Sequence, residues 1–330
     1  MGYNNNNLGD DLMFASIINC SDYASYYFYG PKITPHFINK PISFIKYGRA
    51  LPFRWKLFAD FALIGGSVVM GEHESHLKML AQKNNFFTLN KMFGGCNYIV
   101  GANLGPFKEK LAYLLALKKL DKRVDRWLVR DTYSADLLAE AGSTRFNKMP
   151  DMVMGFDVSP YISDKTDKMI SISVTEVDKD GVGLIDRNLY LQEIVQWIEH
   201  YAKKDYVINL LSFEDVVDLK VIETIHAMVN REYCKAVNVV PYSGDSVIKC
   251  MAKSELIIST RFHCMVLGAL LNKQQIIYSY STKIDNFSRD YGFNVHPVDG
   301  GIEGKNPCFT QFSAQEIELA KRYPKMMSKK

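Results

Sequence analysis

The sequence has no strong charge of either sign: its 330 residues carry a formal net charge of only +4. It also lacks a Lys/Arg stripe interleaved with aromatic residues and any zinc-finger or RNA-recognition motif, so nothing in it indicates a nucleic acid as partner. The longest apolar runs, near Phe61–Met70 and Met265–Leu271, are too short to cross a bilayer. The polar amino terminus lacks the features of a secretory signal, which predicts a cytoplasmic protein.

Cysteine and metal-ligand patterns are equally sparse. There is no C-x-x-C pair, and for a chain of this size that favours free thiols in a reducing compartment. Glu72 and the two histidines of Glu72–His76 fall in one predicted short loop with no further ligand at a zinc-motif spacing. We therefore predict no metal and no cofactor, and interpret this loop as solvated or acceptor-binding. The six cysteines are Cys20, Cys96, Cys234, Cys250, Cys264 and Cys308.

What is present is a globular composition, with 47% hydrophobic and 23% charged residues over a length that suits about two domains. A break in the pattern between Gly155 and Asp167, with Pro160 and Ser163, marks the predicted linker. We predict a first domain over 1–155, a second over 165–305, and a helix with a basic tail over 306–330. Packing of that last segment on the first domain is left open.

Apolar runs and helical spacings alternate along the second half, which predicts a parallel, doubly wound α/β sheet. The first half has three strands that end in turn-rich or charged loops, so we predict two Rossmann-like domains. Ligands of such sheets bind at the carboxyl ends of the strands. The second-half strands are predicted at 168–174, 206–211, 236–240, 255–259 and 275–278, and helices at 189–201, 213–230, 245–253, 261–271 and after 283.

The strongest local signal is the segment ELIISTRFHCMVLG, over Glu255–Gly268. A buried strand ends at Ser259 and Thr260, both good N-cap residues, and a helix is predicted from Arg261. Arg261 and His263 then lie in the first turn, where the helix dipole disfavours cations. A bound phosphate or carboxylate would offset that cost. The alternative is an arginine paired with an acidic neighbour and a histidine packed in the core.

A second signal is the segment WLVRDTYSADLL, in which Arg130 and Asp131 follow a strand and Ser134 is a candidate helix cap. Arg130 could grip a carboxylate or phosphate through two parallel hydrogen bonds. The alternative is an Arg130–Asp131 pair that only orders the turn.

Two glycine-containing loops are weaker candidates for ligand contact. Gly9 permits a tight turn before a predicted helix, where Asp10 or Asp11 would cap the helix by default or act as a base. Gly65, Gly66 and the following Ser67 come directly after a strand, and such loops let the backbone approach a ligand closely.

Taken in order, these segments resemble the polysaccharide pyruvyltransferase family. The resemblance implies a fold like that of GT-B glycosyltransferases, two Rossmann-like domains facing a cleft. It also implies transfer of the enolpyruvyl carbon of phosphoenolpyruvate onto two hydroxyls of a surface-polysaccharide sugar, as a ketal, with release of phosphate. The motifs that carry it are NLGDD, IGGS, GANLGPF, LVRDTYS, PDMV, ISISV, the strand with RFH, and YSYSTKIDNF.

The resemblance assigns residues to two substrates. Arg261 and His263 match an Arg-x-His that contacts phosphoenolpyruvate, and Phe262 stands where leucine is common. We predict His263 as general acid or phosphate partner, because its ordinary pKa is nearest neutrality, with Asp10, Asp11 and Asp131 as base candidates. The predicted donor-binding residues are Arg130, Arg261, Phe262, His263 and Lys283; the predicted acceptor-binding residues are Asn7, Gly9, Asp11, Gly65, Gly66, Ser67, Asn103 and Glu72.

Members of the family usually have a strand before the NxGD loop, so we expect the natural product to start upstream of Met1. A nucleotide-sugar glycosyltransferase, with Glu255 or Asp285 holding the ribose, is the alternative enzyme. A non-catalytic saccharide-binding relative is the alternative outside enzymes. The basic clusters 118–123 and 321–330 are interpreted as solvated faces, with an anionic inner membrane surface carrying a lipid-linked acceptor as the weaker alternative.

Overall fold

A computed structural model describes residues 6–21, 26–30, 36–46, 60–66, 69–71, 74–162, 166–177 and 185–327. They fall into two compact units. Among the described residues, unit 1 contains Asp10–Phe156 and 314–327, and unit 2 contains Asn6–Gly9 and Asp157–Ser313. Both units are built on parallel β-sheets with helices, so the α/β class predicted from the sequence is confirmed.

Unit 1 has a four-stranded parallel sheet in the order β3-β5-β7-β8, and two further parallel pairs, β1-β2 and β4-β6. Its elements are, in chain order, α1 (Leu8–Asn19), β1 (Tyr26–Gly30), β2 (Ile42–Lys46), β3 (Phe61–Ile64), β4 (Val69–Gly71), α2 (Glu74–Met92), β5 (Asn97–Ala102), β6 (Leu104–Phe107), α3 (Lys110–Asp121), β7 (Arg126–Val129), α4 (Thr132–Glu140) and β8 (Phe146–Lys148).

The core of unit 1 lies between this sheet and its helices. Trp127 of β7, Tyr113 of α3 and Phe87 of α2 are almost completely buried. The Trp127 indole still satisfies its donor, because Nε1 donates to Asp121 Oδ1 at 2.9 Å. Burial of each large side chain contributes about 1.5–3 kcal/mol, and it fixes the sheet whose carboxyl ends carry the candidate residues.

The predicted loop over Glu72–His76 is wrong in its second half. Glu74 begins helix α2, which runs to Met92, so His76 lies in a first helical turn. Glu72 and His73 lie outside the described residues. The helix is hard to read from the sequence because Asn84 and Asn85 interrupt its apolar spacing in the middle.

Unit 2 has a six-stranded parallel sheet in the order β11-β10-β9-β12-β13-β14. Counted along the chain from the first strand, this is the order 3-2-1-4-5-6 of a dinucleotide-binding fold, whose ligand crevice lies where the chain reverses direction across the sheet. Its elements are β9 (Met169–Ser173), α5 (Arg187–Ala202), β10 (Val207–Leu211), α6 (Asp215–Met228), β11 (Val237–Val240), α7 (Ser246–Lys253), β12 (Leu256–Ser259), α8 (Phe262–Leu270), β13 (Gln274–Tyr278), α9 (Thr282–Tyr291) and β14 (Val295–His296).

A buried ion pair fastens the segment after β14 to helix α5. Glu193, fully buried, accepts from the backbone N–H groups of Asp299 at 2.6 Å and Gly300 at 2.5 Å. Its second oxygen accepts from Lys305 Nζ at 2.6 Å, and Lys305 also reaches Asp299 Oδ1 at 2.8 Å. Each charge therefore has an opposite charge and directed hydrogen bonds, which is what a buried pair needs to offset its desolvation.

The chain ends in two short helices that belong to unit 1, α10 (Ala314–Ala320) and α11 (Tyr323–Met326). The buried Tyr323 hydroxyl donates to the carbonyl of Pro150 at 2.6 Å, and Arg126 Nη1 donates to the carbonyl of Met326 at 3.0 Å. The α-carbon of Gly155 lies so close to Ala320 that an added Cβ would come within 3.2 Å of its backbone. Unit 1 is thus made from two stretches of the chain, Asp10–Phe156 and 314–327, which unit 2 separates in sequence.

The amino-terminal turn differs from the expectation that residues 1–155 form one body. Asn6–Gly9 belong to unit 2. Leu8 donates its N–H to the carbonyl of Phe213 at 2.9 Å, and Asn7 forms an antiparallel bridge with Glu214. These backbone contacts explain the difference. No helix within the described residues is both long and apolar enough to span a membrane.

Candidate functional site

The reversal point of the unit 2 sheet lies between the neighbouring strands β9 and β12, and the loop after β12 is tied to the end of β9. Thr260 donates its N–H to Ser173 Oγ at 3.0 Å and its hydroxyl to the Ser173 carbonyl at 2.7 Å. The N–H of Arg261 also points at Ser173 Oγ, at 3.2 Å. The sequence placed Arg261 at the carboxyl end of a strand, and these bonds fix it beside the reversal point.

Ser259 and Thr260 do not cap the following helix as predicted. Thr260 is committed to Ser173, and Ser259 Oγ contacts Gln275 and Cys264. Helix α8 begins at Phe262, and Arg261 is its N-cap residue, in extended conformation and without a side-chain cap. His263 remains in the first turn, as expected, while Phe262 is buried.

The guanidinium of Arg261 is nearly buried and meets two carboxylates of unit 2. Nη2 pairs with Asp218 Oδ1, and both Nη atoms approach Glu214 Oε2 at 3.4 and 3.5 Å. Burial acts to lower the pKa of Arg261, but the attraction of Asp218, Tyr280 and Glu214 outweighs it, so the pKa is raised. The cation at the helix start is therefore matched by protein carboxylates, which corresponds to the acidic-neighbour alternative for the arginine.

Asp218 is fixed by backbone N–H groups, whereas the contacts of Glu214 with Arg261 and Asn7 are longer. Fully buried Asp218 uses Oδ2 to accept from the N–H groups of Phe213 at 2.9 Å and Glu214 at 3.0 Å, and burial raises the pKa of its carboxyl. Glu214 Oε2 is shared between Arg261 and the amide of Asn7, which donates at 3.4 Å. Neither carboxylate was singled out in the sequence, although both lie just after β10, the neighbour of β9.

The turn at Asn7 brings a glycine directly against His263. A Cβ added at Gly9 would lie 1.9 Å from His263 Nδ1, far inside van der Waals contact, so only glycine fits this position. Asn7 Oδ1 accepts from the Gly9 N–H at 2.9 Å. Asn7 thus caps the start of α1 with its side chain. This role was expected of Asp10 or Asp11.

Lys283 lies in the first turn of α9, after β13, with its Nζ 5.5 Å from the centre of the Tyr280 ring. The same Tyr280 lies near enough to Arg261 to affect its pKa. Unit 2 therefore brings together one set of predicted residues at the carboxyl edge of its sheet: Asn7, Gly9, Arg261, Phe262, His263 and Lys283.

A second set meets at the carboxyl edge of the unit 1 sheet. Arg130, only 3% exposed, donates from Nη1 to Asp151 Oδ2 at 2.8 Å and from Nη2 to Asn103 Oδ1 at 2.9 Å. Asn103 donates its N–H to the carbonyl of Gly66 at 2.9 Å. A Cβ on Gly66 would be 2.7 Å from Arg130 Nη2, and Gly65 has a φ of 143°, so both glycines are needed there.

Three acidic candidates of unit 1 have other contacts. Asp131 is the N-cap of α4, accepting from the Ser134 N–H at 2.7 Å; it does not pair with Arg130, and Ser134 is not the cap. Asp11 is fully buried and accepts from the His36 N–H at 3.0 Å. Asp10 is half-buried in the first turn of α1. Two predicted acceptor residues, Ser67 and Glu72, lie outside the described residues.

Several features remain apart from these sets. Glu255 lies at the amino end of β12 and accepts from the Tyr206 hydroxyl at 2.7 Å, so it is at the wrong edge of the sheet to hold a ribose. Asp285 accepts from the Ser279 hydroxyl. Among the described residues, no three His, Cys, Asp or Glu side chains cluster in a way that could hold a metal ion.

The strand orders define an α/β protein of GT-B-like fold. Among solved structures, the UDP-GlcNAc 2-epimerase of Methanocaldococcus jannaschii is similar over 99% of this chain and 97% of its own, with 11% identity and a TM-score of 0.57. The Anabaena protein Alr3699/HepE in complex with UDP and glucose is similar over 88% and 82%, with 10% identity and a TM-score of 0.49. At these identities the epimerase shows the fold alone.

The sequence itself identifies the family. The family model of polysaccharide pyruvyl transferases matches residues 7–282, so the chain belongs to that family and is a transferase. The matched range includes both sets of residues described above except Lys283, which follows its last residue. No curated protein sequence matches the chain significantly. The predicted roles of the individual residues stay predictions.

Proposed function

We propose that the protein transfers the enolpyruvyl carbon of phosphoenolpyruvate to two hydroxyls of one hexose in a bacterial surface polysaccharide or its precursor. The first hydroxyl oxygen adds to C2 as a proton is delivered to the methylene carbon, which becomes a methyl group. The second hydroxyl then replaces phosphate at C2 and loses its proton. The products are a cyclic pyruvate ketal and free phosphate, and no oxidant or reductant is needed.

The observation that carries this proposal is Arg261 at the reversal point of the unit 2 sheet, fastened by Asp218 and shared with Glu214. A guanidinium held at the start of a helix, where N–H groups also point outward, suits a small ligand with a carboxylate and a phosphate. The contacts between Arg261 and Glu214, at 3.4 and 3.5 Å, are long for a charged hydrogen bond. They suit a carboxylate that such an anion can displace from the guanidinium. Lys283 adds a positive charge at the same edge, where His263 also lies.

His263 is the proposed general acid, or the partner of the departing phosphate. Its ring lies against Gly9, where an added Cβ would come within 1.9 Å of Nδ1, and contacts Phe262 edge to face at 5.0 Å between ring centres. Asp10 is the proposed base for the attacking hydroxyl, because Asp131 caps a helix and Asp11 is fully buried. Proton transfer by one positioned group contributes about 10²–10⁴-fold to the rate.

The saccharide is proposed to bind at the carboxyl edge of unit 1, along Gly65, Gly66 and Asn103. Arg130 remains a proposed donor contact, although Asp151 and Asn103 already occupy two of its nitrogens. A lipid-linked acceptor is part of the proposal.

The deciding experiment is incubation with phosphoenolpyruvate and a panel of galactosides, mannosides and glucosides, following phosphate release and product mass. We expect phosphate release that depends on one sugar and a product carrying the pyruvate ketal. Consumption of a sugar nucleotide with release of nucleoside diphosphate, and no use of phosphoenolpyruvate, would establish the glycosyltransferase instead. Binding of phosphoenolpyruvate, detected by a thermal shift, with no turnover on any acceptor would favour the non-catalytic relative.

His263 is tested by His263→Ala and His263→Asn, with His226→Ala on the exposed face of α6 as the matched control. We expect kcat to fall by about a hundredfold or more in both His263 variants and to be unchanged in the control. Near-normal phosphate release in both variants would remove His263 from the chemistry.

A further inference from the structure

Helix α3 of unit 1 has two faces of opposite character. Its inner face buries Tyr113, Leu117 and Leu120 in the core. A stripe on its outer side contains Leu111, which is 72% exposed, and Leu115, which is 61% exposed. A surface helix usually presents charged or polar side chains outward, so two exposed leucines one turn apart need a separate explanation.

The same outer stripe continues into lysines. Leu111, Leu115, Lys118 and Lys122 follow one another at spacings of four, three and four residues, which places them on one side of an α-helix. All four are exposed, as is the adjacent Lys119. Within the part of the chain that the structure describes, Lys118, Lys119 and Lys122 form no ion pair with a carboxylate. We call the five residues the α3 stripe.

The neighbouring helix α2 packs against α3 and exposes apolar side chains of its own, Leu89 at 50% and Met92 at 74%. Apolar side chains beside cations without carboxylate partners are the two requirements for binding at a membrane surface, where leucines enter the headgroup region and lysines meet anionic lipids. A soluble polyanion would satisfy the lysines but not the leucines.

We propose that the α3 stripe docks unit 1 on a bilayer that contains anionic lipids. This contact goes beyond the transfer reaction and does not depend on the identity of the donor. Each lysine near an anionic surface strengthens binding by about fivefold, and each leucine that becomes buried by about tenfold.

The test is co-sedimentation of the full chain with vesicles of phosphatidylglycerol mixed with phosphatidylcholine, and with vesicles of phosphatidylcholine alone. One variant carries Leu111→Gln and Leu115→Gln, which keep helix propensity. The other carries Lys118→Gln, Lys119→Gln and Lys122→Gln. Their matched controls lie on unit 2: Val216→Gln with Met228→Gln, and Lys220→Gln with Lys235→Gln and Lys253→Gln, all at exposed positions.

We expect the wild type to sediment with the anionic vesicles, the lysine variant to lose about a hundredfold in partition and the leucine variant a comparable factor. Both controls should bind as the wild type does, and all variants should keep its thermal unfolding temperature. Added salt should weaken binding of the wild type to the anionic vesicles, because it screens the attraction between the lysines and the lipid headgroups.

Four results would overturn the proposal. The wild type stays in the supernatant at low salt, or the stripe variants bind no differently from their controls. Alternatively, only the lysines matter, which identifies a general polyanion contact. A change from dimer to monomer on gel filtration in the leucine variant would show instead that the stripe joins two copies of the chain.

Discussion

Arg130 in unit 1 and Arg261 in unit 2 both follow a parallel strand at the carboxyl edge of a sheet, yet their charges are matched differently. Arg130 donates to a carboxylate, Asp151, and to a neutral amide, Asn103, both at normal hydrogen-bond distance. Arg261 has two carboxylates, one fixed by backbone N–H groups and one at 3.4–3.5 Å. Asp151 holds Arg130 at a normal hydrogen-bond distance, whereas the longer contacts between Arg261 and Glu214 are those that we propose a ligand anion replaces.

The largest expected effect is on stability, from replacement of either arginine by alanine. Arg130→Ala would leave Asp151 buried without its cation, and Arg261→Ala would do the same to Asp218. Loss of one partner of a buried pair costs about 3–5 kcal/mol, which denaturant unfolding measures directly. Arg130→Lys and Arg261→Lys keep the positive charge and should lose less stability than the alanine variants. An unchanged unfolding midpoint in one alanine variant would show that its pair is open to water.

The next largest effect is expected from alanine at the glycines that face His263 and Arg130. Gly9→Ala would place a Cβ 1.9 Å from His263, and Gly66→Ala one 2.7 Å from Arg130. We expect overpacking to cost about 1–3 kcal/mol, with the greater loss of phosphate release in Gly9→Ala. Gly301→Ala is the control, because nothing lies within 4 Å of its added Cβ. Equal activity in all three variants would contradict the close approach at both sites.

Replacing Glu214 and replacing Asp218 by their amides should change KM for phosphoenolpyruvate in opposite directions. Glu214→Gln removes a negative charge from the place proposed for an anion, so KM for phosphoenolpyruvate should fall by about fivefold, the effect of about 1 kcal/mol between unit charges near 4 Å in water. Asp218→Asn loosens Arg261 and should raise KM. Glu223→Gln, an exposed position on the same helix, should change nothing. A rise of KM in Glu214→Gln would make Glu214 a ligand contact instead.

The smallest effect on activity is expected from thiol alkylation. Burial raises the pKa of Cys264 in unit 2 to about 11, so this thiol should remain unlabelled by iodoacetamide at neutral pH and react only as the pH approaches that value or the chain unfolds. Exposed Cys20 of unit 1 should label readily without loss of phosphate release. Peptide mass mapping at two pH values measures both. Rapid labelling of Cys264 in the native protein would show that unit 2 opens there.

The same contrast between units appears in what the sequence could predict. In unit 2 the predicted strands and helices agree with the structure to within about two residues, because apolar strands alternate regularly with amphipathic helices. In unit 1 the strands β1, β2, β4, β6 and β8 were missed. The last three have only three or four residues, and Gly71, Gly105 and Pro106 give β4 and β6 the appearance of turns.

The sequence predicted where three candidate side chains lie on the sheets but did not identify the carboxylates that contact the two arginines. Strand ends located Arg130, Arg261 and His263 correctly at the carboxyl edges. Their partners Asp151 and Asp218 were not predicted, because each is distant in sequence and only the fold brings it near. The acidic run at 214–218, directly after the strand next to β9, was the available signal for Asp218.

Unit 1 combines an early stretch of the chain with its last helices, and this affects how the protein folds during synthesis on the ribosome. A nascent chain folds from its amino terminus as it emerges, but the carbonyl of Pro150 receives its hydrogen bond from Tyr323, which is translated 173 residues later. Unit 1 therefore remains incompletely packed until almost all of unit 2 has been translated. A premature stop close to the carboxyl terminus should harm the half of the protein that was translated first.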